Sequence, residues 1–380
     1  MVAADGVLRV LFVNENIGGH ATVHLNLERS LRRHPEVEPS FLHVPPPGLA
    51  RRFLGASVPG LARRDLDLQP LRAQLALSAT VRRRLASRAG AFDVVHVYTQ
   101  NAALLSADQL RGTATVVSLD STNALNAYRL AHRSPTRWTP RVLPLTQWFE
   151  RRVYEAATLI VANSAWVGRS LRGTYAVPDD KLRLLPFGVP VPDPLPPAPP
   201  PEALPAITFV GHQLERKGGW RLVELHQRHL SARCLLNLVT TDPVPRLPGV
   251  RVFRDFTPGD ARLTTLLRGT RAFVFPSPID QAPNAVLEAM AAATPVVALR
   301  VGAVPEMVED GVTGLLVDDD DDEALLAAIG RLLDDGPAAA AMGARGRERA
   351  QARYDIDRTT AALVQVLGEA ASSRGGRSRP

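Results

Sequence analysis

Short apolar runs recur along this chain, and segments with helical periodicity fill the intervals between them. Residues 7–13, 41–44, 92–98, 115–119, 158–162, 206–210, 235–239, 250–253, 271–275 and 296–299 are rich in Val, Leu, Ile and Phe and too short for helices, so they are predicted to be buried strands. Residues 21–33, 144–157, 166–171, 260–267, 284–293, 324–333 and 338–353 read as helices, and another starts near Trp220. Strands alternating with helices predict an α/β fold with parallel sheets. Residues 190–205 break the pattern: a cluster of prolines without apolar periodicity predicts a stiff, extended linker. The linker separates a domain over 1–189 from one over 206–354. The chain has 380 residues, enough for two cores. The polar, basic end, 371–380, reads as a disordered tail.

The densest chemistry follows the apolar run 271–275. Pro276, Ser277 and Pro278 stop the strand, Asp280 and Glu288 follow, and Pro283 and Asn284 open a helix rich in Ala, Leu and Met. In a parallel sheet, ligands bind at this strand-to-helix end. The first N–H groups of the helix, around Asn284, Ala285 and Val286, favour an anion such as a diphosphate. Two nearby acids suit hydroxyl donors. A diphosphate flanked by hydroxyl-rich rings is a nucleotide-sugar. A second strand–loop–helix unit opens the chain, with Gly18, Gly19 and His20 in its loop; it lacks the third glycine of the dinucleotide fingerprint.

Composition narrows the classes. The net charge is +7, and the basic residues are nearly all Arg and scattered through both halves. No zinc-finger spacing, RNP motif or basic heptad region is present, so a nucleic-acid partner is not expected. A basic protein that binds an anionic nucleotide fits better. The single cysteine, Cys234, excludes a disulfide framework and a cysteine-based zinc site. Neither a signal peptide nor a run of about 18 apolar residues is evident, so a cytoplasmic location, at most peripheral on a membrane, is expected. Between residues 51 and 88 arginines are interspersed with Leu, Val and Phe. This reads as a solvated helix face ahead of a membrane-surface patch facing anionic lipid.

The stretch after Asp280 resembles the donor-site segment of family 4 glycosyltransferases, retaining enzymes of the GT-B fold. Their pattern runs Glu, seven residues, Glu, then "EAMA", "PVVA" and a glycine-rich close; Asp280 in place of the first Glu is the main departure. Here it reads Asp280, Glu288-Ala289-Met290-Ala291, Pro295-Val296-Val297-Ala298, Gly302, Pro305-Glu306, Gly311 and Gly314-Leu315-Leu316-Val317. Residues 211–219 resemble the family's "vGRLxxxKG", with His212 where Arg is usual and Lys217 in register. Ser118-Leu119-Asp120-Ser121-Thr122 resembles a "SLDAT" variant of a segment that often carries His where Asp120 stands.

The resemblance implies two Rossmann-like domains with a deep cleft, and a C-terminal helix over about 355–368 that crosses back onto the first. It implies transfer of a sugar, with retention and without a metal or other cofactor, from a nucleoside-diphosphate sugar to a hydroxyl acceptor. That acceptor is lipid-linked, a polysaccharide or a small natural product. Asp280, Lys217 and Asp120 are the implied catalytic residues. Gly211, His212, Arg216, Lys217, Asp280, Pro283, Asn284, Ala285, Val286 and Glu288 would hold the donor, with Glu288 on the ribose and Lys217 on the diphosphate. Gly18, Gly19, His20 and Asp120 would line the acceptor side. Alternatives stand beside several of these: a solvated or capping role for His20, a turn cap for Asp120, a surface ion pair for Arg216. The same fold also hosts nucleotide-sugar 2-epimerases, pseudo-glycosyltransferases and non-catalytic partner subunits.

Overall fold

The structure, a computed structural model, describes residues 6–15, 19–88, 90–127, 135–257, 259–319 and 321–375. Its contacts divide the chain into two compact units, Met1–Pro186 with Thr359–Pro380, and Phe187–Arg358.

The first unit holds a parallel sheet of β1 (Leu8–Asn14), β2 (Val37–His43), β3 (Val94–Tyr98), β4 (Ala114–Leu119), β5 (Leu159–Ala162) and β6 (Leu182–Leu184), in the order β2-β1-β3-β4-β5-β6. Side chains alternate across it, as a pleated strand requires. Leu8, Val10 and Phe12 face one core with the helix His20–Leu31, and Leu11 and Val13 face the other with the helices Gln69–Ala86, Thr139–Ala156 and Ala165–Tyr175. Both faces are covered, which is why the strands read as continuous apolar runs rather than as alternating ones. β2 begins earlier than its apolar run. It lies at the sheet edge, where Pro39 removes no N–H that a neighbour needs.

From Thr359 onward, the C-terminal helix Ile356–Gly375 belongs with this first unit. Leu363, Val366, Leu367 and Ala370 enter the same core as Leu8, Val10 and Phe12. The helix reaches Gly375, past the start of the tail expected at residue 371; residues 376–380 lie outside those described.

The second unit holds β7 (Ala206–Val210), β8 (Leu235–Val239), β9 (Val250–Phe253), β10 (Thr270–Phe275), β11 (Val296–Leu299) and β12 (Gly314–Val317), again all parallel, ordered β12-β11-β10-β7-β8-β9. Strand order reverses between β7 and β10, the first and fourth strands of this unit. A crevice opens at such a switch point, outside the carboxyl ends of the strands. Phe209, Phe273 and Phe275 fill the core beneath it.

The proline-rich stretch is fastened to this second unit. Arg268 Nε donates to Pro196 O at 3.2 Å, Arg347 donates to Pro192 O at 2.5 Å, and Val189 pairs with the backbone at Tyr354 and Ile356. No helix among the described residues is long and apolar enough to cross a membrane.

Candidate active site

Lys217 and Asp280 meet at the switch point of the second unit. Lys217 follows β7, Asp280 follows β10, and Lys217 Nζ lies 3.5 Å from Asp280 Oδ2. The ammonium also stands over the Phe275 ring, 5.6 Å from its centroid. The lysine is thus held with its charge at the strand ends rather than on the outer surface.

Two glycines make this approach feasible. Gly218 has φ +72°, and a Cβ there would sit 1.9 Å from Pro276 O, so only glycine lets the Lys217 turn pack against the loop after β10. Gly302 has φ +53°, and a Cβ there would lie 2.3 Å from Asp280 O. Ala303 N–H donates to Gln281 O at 2.7 Å across the same contact. Gly302 was legible only as part of a motif; its task is to let the chain after β11 support the backbone that carries Asp280.

Glu288 lies in the helix Asn284–Ala291, half-buried, one turn beyond Pro283 and Asn284. Burial raises its carboxyl to about 7, and the charge of Lys217 opposes that rise. A carboxylate that is costly to ionise unaided is well suited to hydroxyl donors. At the helix start, Val286 N–H already donates to Pro283 O at 3.1 Å, so of the three N–H groups expected to face an anion this one is engaged within its own turn.

Three neighbours take roles that the sequence did not separate. His212 is exposed, and its Nδ1 accepts the Thr241 N–H at 3.2 Å. With Nδ1 engaged there, the position offers the other ring nitrogen, Nε2, for hydrogen bonding where arginine would offer a guanidinium. Among the described residues, Arg216 is held by hydrogen bonds rather than by an ion pair. Its Nε donates to Gln213 Oε1 at 2.6 Å and its guanidinium reaches Ile279 O at 3.3 Å, bolting the turn after β7 to the residue before Asp280. Gly211 directly follows β7 and receives Lys217's aliphatic stem, whose Cδ would lie 3.1 Å from a Cβ placed there.

In the first unit, His20 Nε2 lies 3.0 Å from Asp120 Oδ2. His20 opens the helix after β1 and Asp120 follows β4, so this pair also stands at the strand ends. The turn-cap reading of Asp120 does not hold, because Thr122 caps the helix Asn123–Asn126 by accepting the Leu125 N–H. Nor is His20 the cap of its own helix; that position is Gly19, whose carbonyl accepts from Thr22 and Val23. Gly18 lies outside the described residues.

The sequence reading missed what lies under this pair. Glu15, buried directly after β1, accepts the Thr99 hydroxyl at 3.0 Å, and burial raises its carboxyl against the pull of His20. Tyr98 packs edge-on against both His20 and His24, each with centroids 5.0 Å apart. Burial lowers His24 to about 3, so it is neutral. An acid immediately after the first strand was the available signal for Glu15. Deeper still, Glu150 accepts from Gln100 Nε2 and Asn123 N–H, both at 2.9 Å, and from the Tyr175 hydroxyl, anchoring the segment after Asp120.

Family models match both parts of the chain. Residues 17–191 match the family described as Glycosyltransferase Family 4, and residues 205–335 match Glycosyl transferases group 1. The chain belongs to the family 4 glycosyltransferases. Alpha-maltose-1-phosphate synthase of Mycolicibacterium smegmatis is 31% identical over 238 residues, covering 54% of this chain and 61% of that protein. The match therefore spans less than two thirds of that relative. Among solved structures, sucrose-phosphate synthase from Thermosynechococcus elongatus superposes with a TM-score of 0.72 at 20% identity, covering 96% of this chain and 100% of that one. Anabaena Alr3699/HepE in complex with UDP-glucose gives 0.64 at 15% identity, covering 95% and 100%. At these identities the structural likeness shows the GT-B fold of this family glycosyltransferase, with its two parallel α/β sheets.

Proposed function

We propose that this protein transfers a glycosyl group from a nucleoside-diphosphate sugar to a hydroxyl acceptor, with retention of anomeric configuration and without a bound metal. The observation that carries the reading is the Lys217–Asp280–Glu288 constellation at the strand-order reversal of the second unit. Each member has a task in that reaction. Lys217 neutralises the diphosphate as its bond to the sugar breaks and negative charge grows on the leaving oxygen. Asp280 accepts hydroxyls of the transferred sugar. Glu288 accepts the ribose hydroxyls, and binding them favours its ionised form.

Lys217 and Asp280 lie 3.5 Å apart, so a donor that binds here must exchange that contact for its own. The diphosphate then takes the lysine and the sugar takes the carboxylate. His212 offers a hydrogen-bonding ring where arginine is usual in the family, and Lys217 takes the main electrostatic role. UDP-glucose bound in the Anabaena protein of the same fold supports the donor class. In the first unit, Gly19, His20 and Asp120 serve the acceptor side.

The test is an assay over a panel of UDP-, GDP- and ADP-sugars with hydroxyl acceptors, reading nucleoside diphosphate release. The anomeric configuration of the product is read by NMR, and the assay is repeated with chelator. Donor-dependent release, an anomer matching the donor and chelator resistance are expected. Inversion overturns the stereochemical part, and chelator sensitivity the metal-free part. Conversion of the donor sugar to its 2-epimer without transfer overturns the whole.

A further inference from the structure

Ten large apolar side chains are notably exposed among the described residues, and six of them fall within 49–66: Leu49, Phe53, Leu54, Val58, Leu61 and Leu66. Leu49 and Phe53 are 85% and 80% exposed and lie one turn apart on the helix Leu49–Gly55. Scattered apolar residues on a surface are ordinary, but a cluster of this size marks an interaction site.

The cluster is presented on a braced scaffold. Arg72, from the helix Gln69–Ala86, donates to Leu54 O and Ala56 O, both at 2.8 Å, and to Asp67 O at 2.6 Å. Gln69 Nε2 donates to Gly55 O at 2.8 Å, and buried Asp67 accepts the Val58 N–H at 3.2 Å. The backbone is fastened down on its polar side while its apolar side chains point away.

Charge is sorted in the same direction. Arg52, Arg63 and Arg64 are exposed along the cluster. Asp65, the one acid within 49–66, is turned inward and accepts the hydroxyls of Thr136 and Thr139. The face is therefore apolar and cationic, with its acid withdrawn. The expectation of an ordinary solvated arginine face fits the helix behind it, where Arg82 pairs with Asp108, but not this segment.

We propose that this face docks on the anionic surface of a lipid bilayer, with Leu49 and Phe53 entering the acyl boundary and Arg52, Arg63 and Arg64 meeting lipid phosphates. A second copy of the chain is the weaker occupant, because a two-fold contact would set the arginines of one face against those of the other. The proposal does not rest on the transfer reaction.

Flotation of the full chain with vesicles tests it, comparing phosphatidylcholine alone with phosphatidylcholine containing about one third phosphatidylglycerol, each at low and high salt. Expected are recovery on the anionic vesicles only, loss at high salt, a fall of about tenfold or more for Leu49→Ser with Phe53→Ser, and about fivefold per charge for Arg52→Gln, Arg63→Gln and Arg64→Gln. Circular dichroism melting of each variant separates lost docking from lost fold. Equal recovery on neutral and anionic vesicles overturns the proposal, as does wild-type recovery of the Leu49→Ser, Phe53→Ser variant. A vesicle-free dimer that this variant converts to monomer also overturns it, in favour of self-association.

Discussion

Lys217 Nζ and Asp280 Oδ2 stand 3.5 Å apart at the ends of two neighbouring strands, β7 and β10, that are far apart in sequence. Both side chains are mostly enclosed, at 21% and 11% exposed, so the pair is more than a surface ion pair of the kind that contributes little. Its strength is modest at that distance, which suits a contact that a ligand must open.

Lys217→Ala is expected to lower kcat about 10²- to 10³-fold, the usual cost of removing one preorganised group that meets transition-state charge. Melting temperature should fall only slightly, because the Asp280 contact is weak at 3.5 Å. Steady-state kinetics with the best donor of the panel, alongside a melting curve, checks this; wild-type turnover would remove Lys217 from the site.

Glu288 supplies a pH prediction. Its carboxyl sits near 7 in the folded protein against an ordinary value of 4.5. The folded state therefore binds more protons than the unfolded state between those values, and this group's contribution to stability is present below about 4.5 and lost as pH rises through about 7. The unliganded protein should lose melting temperature across that window, and Glu288→Gln should flatten the loss. Donor affinity should run the opposite way, rising through pH 7 as the carboxylate forms, and Glu288→Gln should abolish that rise. Calorimetric titration with the nucleoside diphosphate reads it.

Gly302→Ala tests the support of Asp280. The new Cβ meets Asp280 O and Gln281 O at 2.3 and 2.6 Å, in a backbone conformation that disfavours it. A loss of about 1–3 kcal/mol in stability is expected, together with a fall in kcat larger than that of Gly311→Ala. Gly311 also has positive φ, +76°, but nothing lies within 4 Å of its Cβ position. Equal kinetic effects at the two glycines would mean that backbone strain, not the Asp280 contact, is at work.

His20 and Asp120 should behave as one unit. Asp120→Asn and His20→Ala are expected to lower kcat by similar factors, and the double variant by little more than either alone, which a double-mutant cycle reads as coupling. Additive effects would show that the two side chains act separately.

Glu150→Ala is expected to destabilise the protein by about 3 kcal/mol, since it leaves buried partners on Gln100, Asn123 and Tyr175 without their acceptor. Chemical denaturation measures this. An unchanged midpoint would show that the network relaxes without cost.

Much of this was legible in the chain. Both faces of each sheet are covered, so the strands announce themselves as continuous apolar runs, and their alternation with helices indicates parallel sheets in two units. The donor-site acids and Lys217 were legible as a motif because each follows its strand directly. β6 and β12 were not read as strands, since a run of three or four residues at a sheet edge has too little periodicity of its own. Glu15 and Glu150 were passed over because nothing local distinguishes an acid that the fold will bury from one left in water.

The sequence by itself determined the class of the sheets, the two units and the family, because these depend on local periodicity and on residue order. Only tertiary structure decided which side chains meet. It set Asp280 against Lys217, turned Arg216 into a bolt between loops, engaged His212 Nδ1 with the Thr241 N–H, paired His20 with Asp120, and withdrew Asp65 from the apolar face at 49–66. Each of those outcomes depends on burial and on a partner distant in sequence, and both are properties of strand order rather than of spacing along the chain.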